Sequence, residues 1–357
     1  MSANRWTENT VVADDRTRAD TAYRLACEGT ALLWRGDFHN GRHLLAAMGR
    51  RIDRVDRKRL RTGATAAETF RQYRRARAHR ARVLGRLLVR LEEDYSLAVR
   101  RAPDVRGACV DAYGPPQGPS TVPLRELLGV IGARQWREKG VPVAALGARI
   151  HPHYGVFSPV RGEYVDLVAR APLPTFRTAF DLGTGTGVLA AVLARRGVGR
   201  LVATDIGPRA LVCARDNLGR LGLAERVRVE GPALYPDGRA DLVVCNPPWI
   251  PARPASELDL GVYDAGGGML HGFLASLADH LEAAGEGWLV LSDLAERLGL
   301  RTRADLLAEI EAAGLRVRDR LDTRPRHPRS RDTGDPLHAA RAAEVTSLWR
   351  LGVAEGS

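Results

Sequence analysis

Four residues that could bind or orient a substrate follow the apolar run at 242–245, namely Asn246, Pro247, Pro248 and Trp249. Because proline has no N–H to offer to a sheet, the strand predicted over this run must end at Asn246. The prolines fix the direction of a backbone carbonyl, since their φ is preset, and Trp249 offers a flat face for stacking. The sequence therefore predicts a binding site at the carboxyl end of a buried strand, the edge at which open parallel sheets bind ligands.

A glycine-rich turn lies upstream, in AFDLGTGTGVLAAVLARRG at 179–197, which predicts a strand, a turn and a helix. The glycines let the backbone turn sharply and approach a ligand closely, and the N-terminus of the helix favours negatively charged groups. The third glycine comes one residue earlier than in the dinucleotide fingerprint G-x-G-x-x-G. Asp205 follows Asp181 by 24 residues and closes the run RLVATD. A carboxylate at that point can accept both ribose hydroxyls of an adenosine.

These segments resemble the motifs of the class I S-adenosylmethionine-dependent methyltransferases. FDLGTGTGVLA is similar to their first motif and ATDIGPRALVCARDNLGRLGL to their second, and the resemblance extends from about 155 to 351. It implies S-adenosyl-L-methionine as the cofactor, with the glycines around its methionine part and Asp205 on its ribose; no metal is indicated. The adenine contact stays open between Glu230 and backbone groups near Ala233. The cofactor-binding residues that the resemblance implies are Asp181, Gly183, Thr184, Gly185, Thr186, Gly187, Asp205 and Arg161.

The segment at 246–249 resembles the [N/D/S]-P-P-[Y/F/W] motif of amino-methyltransferases, which act on exocyclic base amines or on the glutamine side-chain amide. In that reading the Asn246 side-chain oxygen and the Pro247 carbonyl accept the two N–H bonds of a planar nitrogen. They would turn its lone pair towards the methyl group and stabilise the developing positive charge. Asn246 and Pro247 are thus the predicted catalytic residues, and Pro248 and Trp249 the predicted substrate contacts.

A further segment, HYGVFSPVRGEYVDLV at 153–168, resembles the aromatic-Pro-Arg-Glu stretch of glutamine and nucleic-acid N-methyltransferases. The matching positions are Phe157, Pro159, Arg161 and Glu163. The resemblance implies that Phe157 contacts the substrate and that Arg161 lies over the cofactor. A helix N-terminus that packs on the core would give a similar pattern, so both interpretations stay open.

The elements that must position these residues alternate between short apolar runs and helical stretches from about residue 150 onwards. This alternation predicts an α/β fold, a doubly wound and mainly parallel seven-stranded Rossmann-like sheet whose last two strands form an antiparallel pair at its edge. Residues 1–150 are predicted to form a mostly helical domain for substrate recognition, and residues 151–357 the catalytic domain. In the first domain we expect three helices. One lies within 17–34, the second begins at the capping box at 65–68 and extends to about Arg100, and the third covers 124–136. The second of these carries the stripe Leu84, Leu87, Leu88 and Leu91, and 113–123 is predicted to be a loop.

The net charge of +12, from 54 basic and 42 acidic residues, is concentrated in one segment. Between Arg50 and Arg90 there are 15 basic and 3 acidic residues, which accounts for the whole excess. The segment predicts a nucleic-acid partner, RNA before DNA, although coding bias in a GC-rich genome would also enrich arginine. The loop at 322–344 adds Arg324, Arg326, Arg329 and Arg331, which either touch phosphates or form a solvated loop.

Several functions are compatible with the sequence. The first is N-methylation of an RNA or DNA base, and the second is protein-glutamine N-methylation of the kind that modifies release factors. A small-molecule amine or guanidine acceptor, and a non-catalytic nucleic-acid-binding protein on the same scaffold, are further alternatives. The chain has no apolar stretch of the roughly 20 residues that a membrane helix needs and no secretory pattern at its start. We therefore expect a cytoplasmic enzyme, with no membrane partner and with four reduced cysteines.

Overall fold

A computed structural model describes residues 9–59, 65–173, 177–254, 258–326 and 331–354. The chain divides into two compact units. The first comprises Met1–Ala64 with Glu68–Gln135, and the second comprises Thr65–Ala67 with Trp136–Ser357. The division falls before residue 150, the boundary expected from the change in sequence pattern. In the described part of the chain, no helix has the length and apolar character required to cross a membrane.

The first unit combines helices with a four-stranded sheet in which β1, β2 and β3 are parallel and β4 is antiparallel to β3. Its strands are β1 (Thr10–Ala13), β2 (Ala31–Trp34), β3 (Leu87–Leu91) and β4 (Ser120–Pro123). Its helices are α1 (Ala19–Cys27), α2 (Phe38–Arg59), α4 (Arg106–Tyr113) and most of α3 (Ala66–Leu84) and of α5 (Leu124–Lys139). Helices predominate as expected, and α5 confirms the helix predicted from residue 124.

The sheet of the first unit was not predicted, and the long helix expected to reach Arg100 is wrong beyond Leu84. There α3 ends, Gly85 follows, and Leu87, Leu88 and Leu91 lie in β3 with none of their surface exposed. A strand that is buried on both faces needs apolar residues on both, so its pattern is continuous and mimics the helical stripe. The segments 17–34 and 113–123 also contain the short strands β2 and β4, which were not predicted because four residues show too little periodicity to indicate a strand.

The second unit is built around a seven-stranded sheet in the order β12-β13-β11-β10-β7-β8-β9, which confirms the predicted doubly wound fold. Strands β7 to β11 are parallel, and β13 lies antiparallel between β11 and β12. The strands are β7 (Thr178–Leu182), β8 (Arg200–Thr204), β9 (Val227–Glu230), β10 (Ala240–Cys245), β11 (Leu281–Ser292), β12 (Leu315–Thr323) and β13 (Thr346–Val353). A hairpin of β5 (Val141–Val143) and β6 (Ala148–Ile150) precedes them.

Helices cover both faces of this sheet, so its central strands are buried on both sides. They are α6 (Glu163–Arg170), α7 (Val188–Arg195), α8 (Pro208–Arg220), α9 (Gly268–His280), α10 (Leu294–Arg297), α11 (Arg303–Ala312) and α12 (His338–Ala342). The amphipathic helix α6 and the apolar helix α7 pack on one face, whereas α9 and α11 pack on the other. Because β7, β8, β10 and β11 are parallel, the residues that follow them meet at one edge of the sheet.

Candidate active site

The glycine turn between β7 and α7 has the backbone geometry that glycine permits. Gly183, Gly185 and Gly187 have φ values of +67°, +55° and +80°, in a region that other residues occupy at a cost. Thr184 within the turn donates its backbone N–H to the Thr204 carbonyl at 2.8 Å, which ties the turn to the end of β8. This hydrogen bond links the turn to β8, and the half-buried Gly183 and Gly185 leave part of its backbone accessible at the carboxyl edge of the sheet.

Asp181, at the end of β7, lies beneath this turn and is only 1% exposed. Its Oδ2 atom accepts hydrogen bonds from the Thr184 hydroxyl at 2.6 Å and from the Ala190 backbone N–H at 3.0 Å. Burial raises the pKa of Asp181 to about 6, although both hydrogen bonds oppose the shift. The carboxylate thus joins the turn to the first helical residues of α7.

Asp205, which follows β8, is half-buried and accepts backbone N–H groups on both of its oxygens. Gly185 donates to Oδ2 at 3.0 Å, and Gly207 donates to Oδ1 at 2.8 Å. Burial raises the pKa of Asp205, whereas these N–H groups lower it. Each carboxylate oxygen retains a lone pair, so Asp205 can still accept ribose hydroxyls. Of the candidates for the adenine contact, Glu230 pairs with Arg228, and the Ala233 N–H donates to the Asp205 carbonyl at 3.3 Å.

Met269 closes the other side of the glycine turn. A Cβ atom on Gly183 would overlap the Met269 methyl group. The backbone N–H of Met269 is in turn held by Asp264 Oδ2 at 2.7 Å. Sequence reasoning missed this contact, because nothing in GGGML at 266–270 points to the glycine turn.

Asn246 and Trp249 are joined by a hydrogen bond that the sequence did not reveal. The Trp249 indole N–H donates to Asn246 Oδ1 at 2.9 Å. Asn246 follows directly on β10 and is half-buried, whereas Pro247 is buried. Since an amide oxygen has two lone pairs, Asn246 retains one for a substrate. The Trp249 ring packs against apolar residues from both faces of the sheet, so it also fixes the loop.

Arg161 lies beside this segment, with its guanidinium carbon 5.9 Å from the centre of the Trp249 ring. Its Nη1 atom is 3.4 Å from Oε1 of Glu344, a fully buried carboxylate just before β13. The hydroxyl of Ser292, at the end of β11, donates to the same oxygen at 2.7 Å. Glu344 Oε2 and the Thr346 hydroxyl are buried and have no partner among the described residues. Glu344, Ser292 and Thr346 therefore extend the polar edge of the sheet, and sequence reasoning missed all three.

The remaining predicted residues have varied surroundings. Phe157 packs closely on Gly261, where a Cβ would lie 2.7 Å from the Phe157 Cβ. Glu163 begins α6 and is buried, and its Oε1 atom has no partner among the described residues. In the loop after β12, Arg326 lies 3.9 Å from Asp166, and Arg324 and Arg331 are exposed. Arg329 falls outside the described residues.

One segment of the chain, which includes the glycine turn and Asn246, matches a known protein family. Residues 147–298, less than half of the chain, match the methyltransferase small domain. The release factor glutamine methyltransferase of Cereibacter sphaeroides is 41% identical over 102 residues, which is 28% of this chain and 36% of that protein. The ribosomal protein L11 methyltransferase of Pectobacterium carotovorum is 37% identical over 123 residues, or 34% of this chain and 42% of that one. The chain thus spans about two fifths of the length of these curated relatives.

Solved structures give a weaker likeness. The ribosomal protein L11 methylase from Lactobacillus delbrueckii subsp. bulgaricus is 18% identical and has a TM-score of 0.40, over 60% of this chain and 90% of that one. The segment 147–298 thus matches a methyltransferase domain, in agreement with the resemblance of the sequence motifs. The methyl acceptor belongs to the proposal that follows.

Proposed function

We propose that this chain is an S-adenosylmethionine-dependent N-methyltransferase that acts on a planar nitrogen of a nucleic-acid base, in RNA before DNA. The observation that carries the proposal is the held amide of Asn246. Asn246 follows the central strand β10, and its side-chain oxygen accepts a hydrogen bond from the Trp249 indole N–H at 2.9 Å. The oxygen retains a lone pair. A fixed acceptor at that edge suits a nitrogen with N–H bonds to donate, since preorganised acceptors stabilise charge that develops there.

The described residues fit the cofactor. Gly183 and Gly185 are half-buried, so part of the turn's backbone is accessible where the methionine part of the cofactor would lie, and Asp205 has lone pairs for its ribose. The bound cofactor supplies an electrophilic methyl group.

The chain's own residues hold the acceptor nitrogen for this methyl. Asn246 Oδ1 and the Pro247 carbonyl accept its two N–H bonds, which turns the lone pair out of conjugation and towards the methyl. As the nitrogen gains the methyl, it becomes positively charged and its proton becomes acidic, so water can accept that proton. The two oxygens stabilise this charge, and a dedicated general base is not needed.

An RNA acceptor is supported by arginines on the surface of the first unit. Arg71, Arg75 and Arg82 of α3 are exposed and follow one another at i, i+4 and i+11, which places them on one face of the helix. Such a row matches a phosphate backbone. A protein glutamine is the second candidate, and the 41% identity with a release factor glutamine methyltransferase favours it.

Asn246→Ala tests the chemistry. With labelled S-adenosylmethionine and a cell extract, we expect transfer to fall by about 10²–10³-fold, the usual effect of removing one group that stabilises transition-state charge. The affinity for the cofactor, measured by calorimetry, is expected to stay unchanged. Asn9→Ala is the matched control and should transfer normally, because it removes an amide from the first unit, where Asn9 is exposed and donates to Thr30 Oγ1 at 3.1 Å. Wild-type turnover in Asn246→Ala would refute the assignment.

Digestion of the labelled products separates the two acceptors. Release of the label by nuclease supports RNA or DNA, and ribonuclease and deoxyribonuclease used separately distinguish these. Release by protease alone would replace the RNA proposal with a protein acceptor while leaving the role of Asn246 intact.

A further inference from the structure

The first unit contains a basic groove that the proposed chemistry does not use. One wall is a face of α2 on which His39, Arg42, His43 and Ala46 follow at i, i+3, i+4 and i+7. These four residues are exposed. The groove has a volume of about 410 Å³, and no acidic side chain lines it among the described residues.

The opposite wall and the floor come from the end of α3 and the start of α5. Arg80 and Arg125 contribute two further guanidinium groups. Arg80 crosses α2 closely, because a Cβ on Gly49 would lie 2.8 Å from its Nη2, and Asp53 fixes its Nε at 2.8 Å. Leu84 is 3% exposed and forms part of an apolar floor.

We propose that this groove binds the phosphodiester backbone of an RNA, an inference that rests on the proposed RNA acceptor and assigns the first unit a direct role in holding it. Guanidinium groups match phosphate oxygens in pairs, and imidazole rings above an apolar floor suit the base beside each phosphate. An acidic peptide also carries negative charge, but it does not couple each charge to a flat ring.

The dimensions favour a polymer over a free phosphate or a mononucleotide. Arg50 lies one turn beyond Ala46 on the same face of α2 and is exposed. The row from His39 to Arg50 therefore extends for roughly 16 Å at a rise of about 1.5 Å per residue. This length exceeds what a single phosphate can contact, so the groove opens into an extended basic track.

The test compares two doubly substituted full-length chains with equal loss of charge. Arg42→Gln/Arg125→Gln removes two groove cations, and Arg16→Gln/Arg18→Gln removes two exposed cations of the same unit that do not line the groove. Binding of a fluorescein-labelled single-stranded RNA of 20 nucleotides is followed by anisotropy at several KCl concentrations. The slope of log K for RNA binding against log[salt] is negative, and we expect its magnitude to be smaller by about 1.4 in the groove variant, or about 0.7 for each phosphate contact. This change corresponds to roughly 25-fold weaker binding at 0.1 M salt.

A single variant guards against loss of folding. Arg42→Lys keeps the charge but loses paired contacts, so it should retain the salt slope and bind RNA several-fold more weakly. An equal loss of RNA affinity in the groove variant and the control variant would overturn the inference. Tighter binding of a polyglutamate peptide than of RNA would overturn it as well. If the wild-type chain bound no RNA while Asn246→Ala still abolished methyl transfer, the groove proposal would fail and the proposed N-methyl transfer would stand.

Discussion

Asp181 offers a test of the site that depends on stability alone. Burial raises the pKa of this carboxyl from 3.8 to about 6, so the folded chain holds the proton more tightly than the unfolded chain does. The resulting stabilisation is present in full below pH 3.8 and is lost as the pH rises through 6. Relative to low pH, the titration of Asp181 lowers the free energy of unfolding by about 1.6 kcal/mol at pH 5 and by about 3 kcal/mol at pH 8.

Asp181→Asn removes this pH dependence while its amide oxygen can still accept from Thr184 and Ala190. The free energy of unfolding of the variant, minus that of the wild type, should therefore rise by about 1.4 kcal/mol between pH 5 and pH 8. Urea unfolding followed by circular dichroism at both pH values measures the difference. Asp237→Asn, at an exposed position, is the matched control.

A difference between Asp181→Asn and wild type that stays constant between pH 5 and pH 8 would contradict this reasoning. It would mean that the carboxyl titrates alike in the folded and unfolded chains, and that its burial beneath the glycine turn carries no electrostatic cost. A rise of the same size in Asp237→Asn would instead place the effect in the general charge of the protein.

Two further predictions concern contacts that only the structure reveals. Gly183→Ala should destabilise the chain by about 3 kcal/mol, because of the φ of +67° at this position and the overlap with Met269. In thermal unfolding, Gly183→Ala/Met269→Ala should recover only the stability that the overlap costs. No recovery would place the strain elsewhere. Trp249→Phe keeps an aromatic ring, although a smaller one, and removes the N–H that holds Asn246. The kcat should therefore fall about tenfold, equivalent to about 1.4 kcal/mol, with the KM for the cofactor unchanged. An unchanged kcat would show that this hydrogen bond does not orient the amide.

The glycine turn and the strand end at Asn246 could be predicted because their signals are local. A turn with three glycines at 183, 185 and 187 needs positive φ wherever it occurs, and two prolines end a strand whatever lies around it. The strand–helix alternation likewise predicted the seven-stranded sheet, since right-handed connections leave few alternatives. These features depend on residues within a few positions of one another.

The four-stranded sheet of the first unit could not be predicted in this way. The spacing of four leucines fits a helix, namely Leu84, Leu87, Leu88 and Leu91. Gly85 interrupts that helix, and the last three leucines pair instead with β2 and β4 on either side in a sheet. Which pattern prevails depends on partners that lie far away in the chain, because a buried strand gains its hydrogen bonds only from neighbouring strands.

The sequence by itself determined the fold of the second unit, the turn with positive φ, and the presence of an amide and a rigid carbonyl at the end of β10. Tertiary structure alone decided what surrounds that amide. Arg161 meets Glu344 across 183 positions, and Ser292 meets it across 52. The antiparallel pairing of β11 and β13 places Ser292 opposite Thr346, two residues from Glu344. The physical reason is that local backbone preferences act over a few residues, whereas buried polar groups must find partners wherever the sheet brings them.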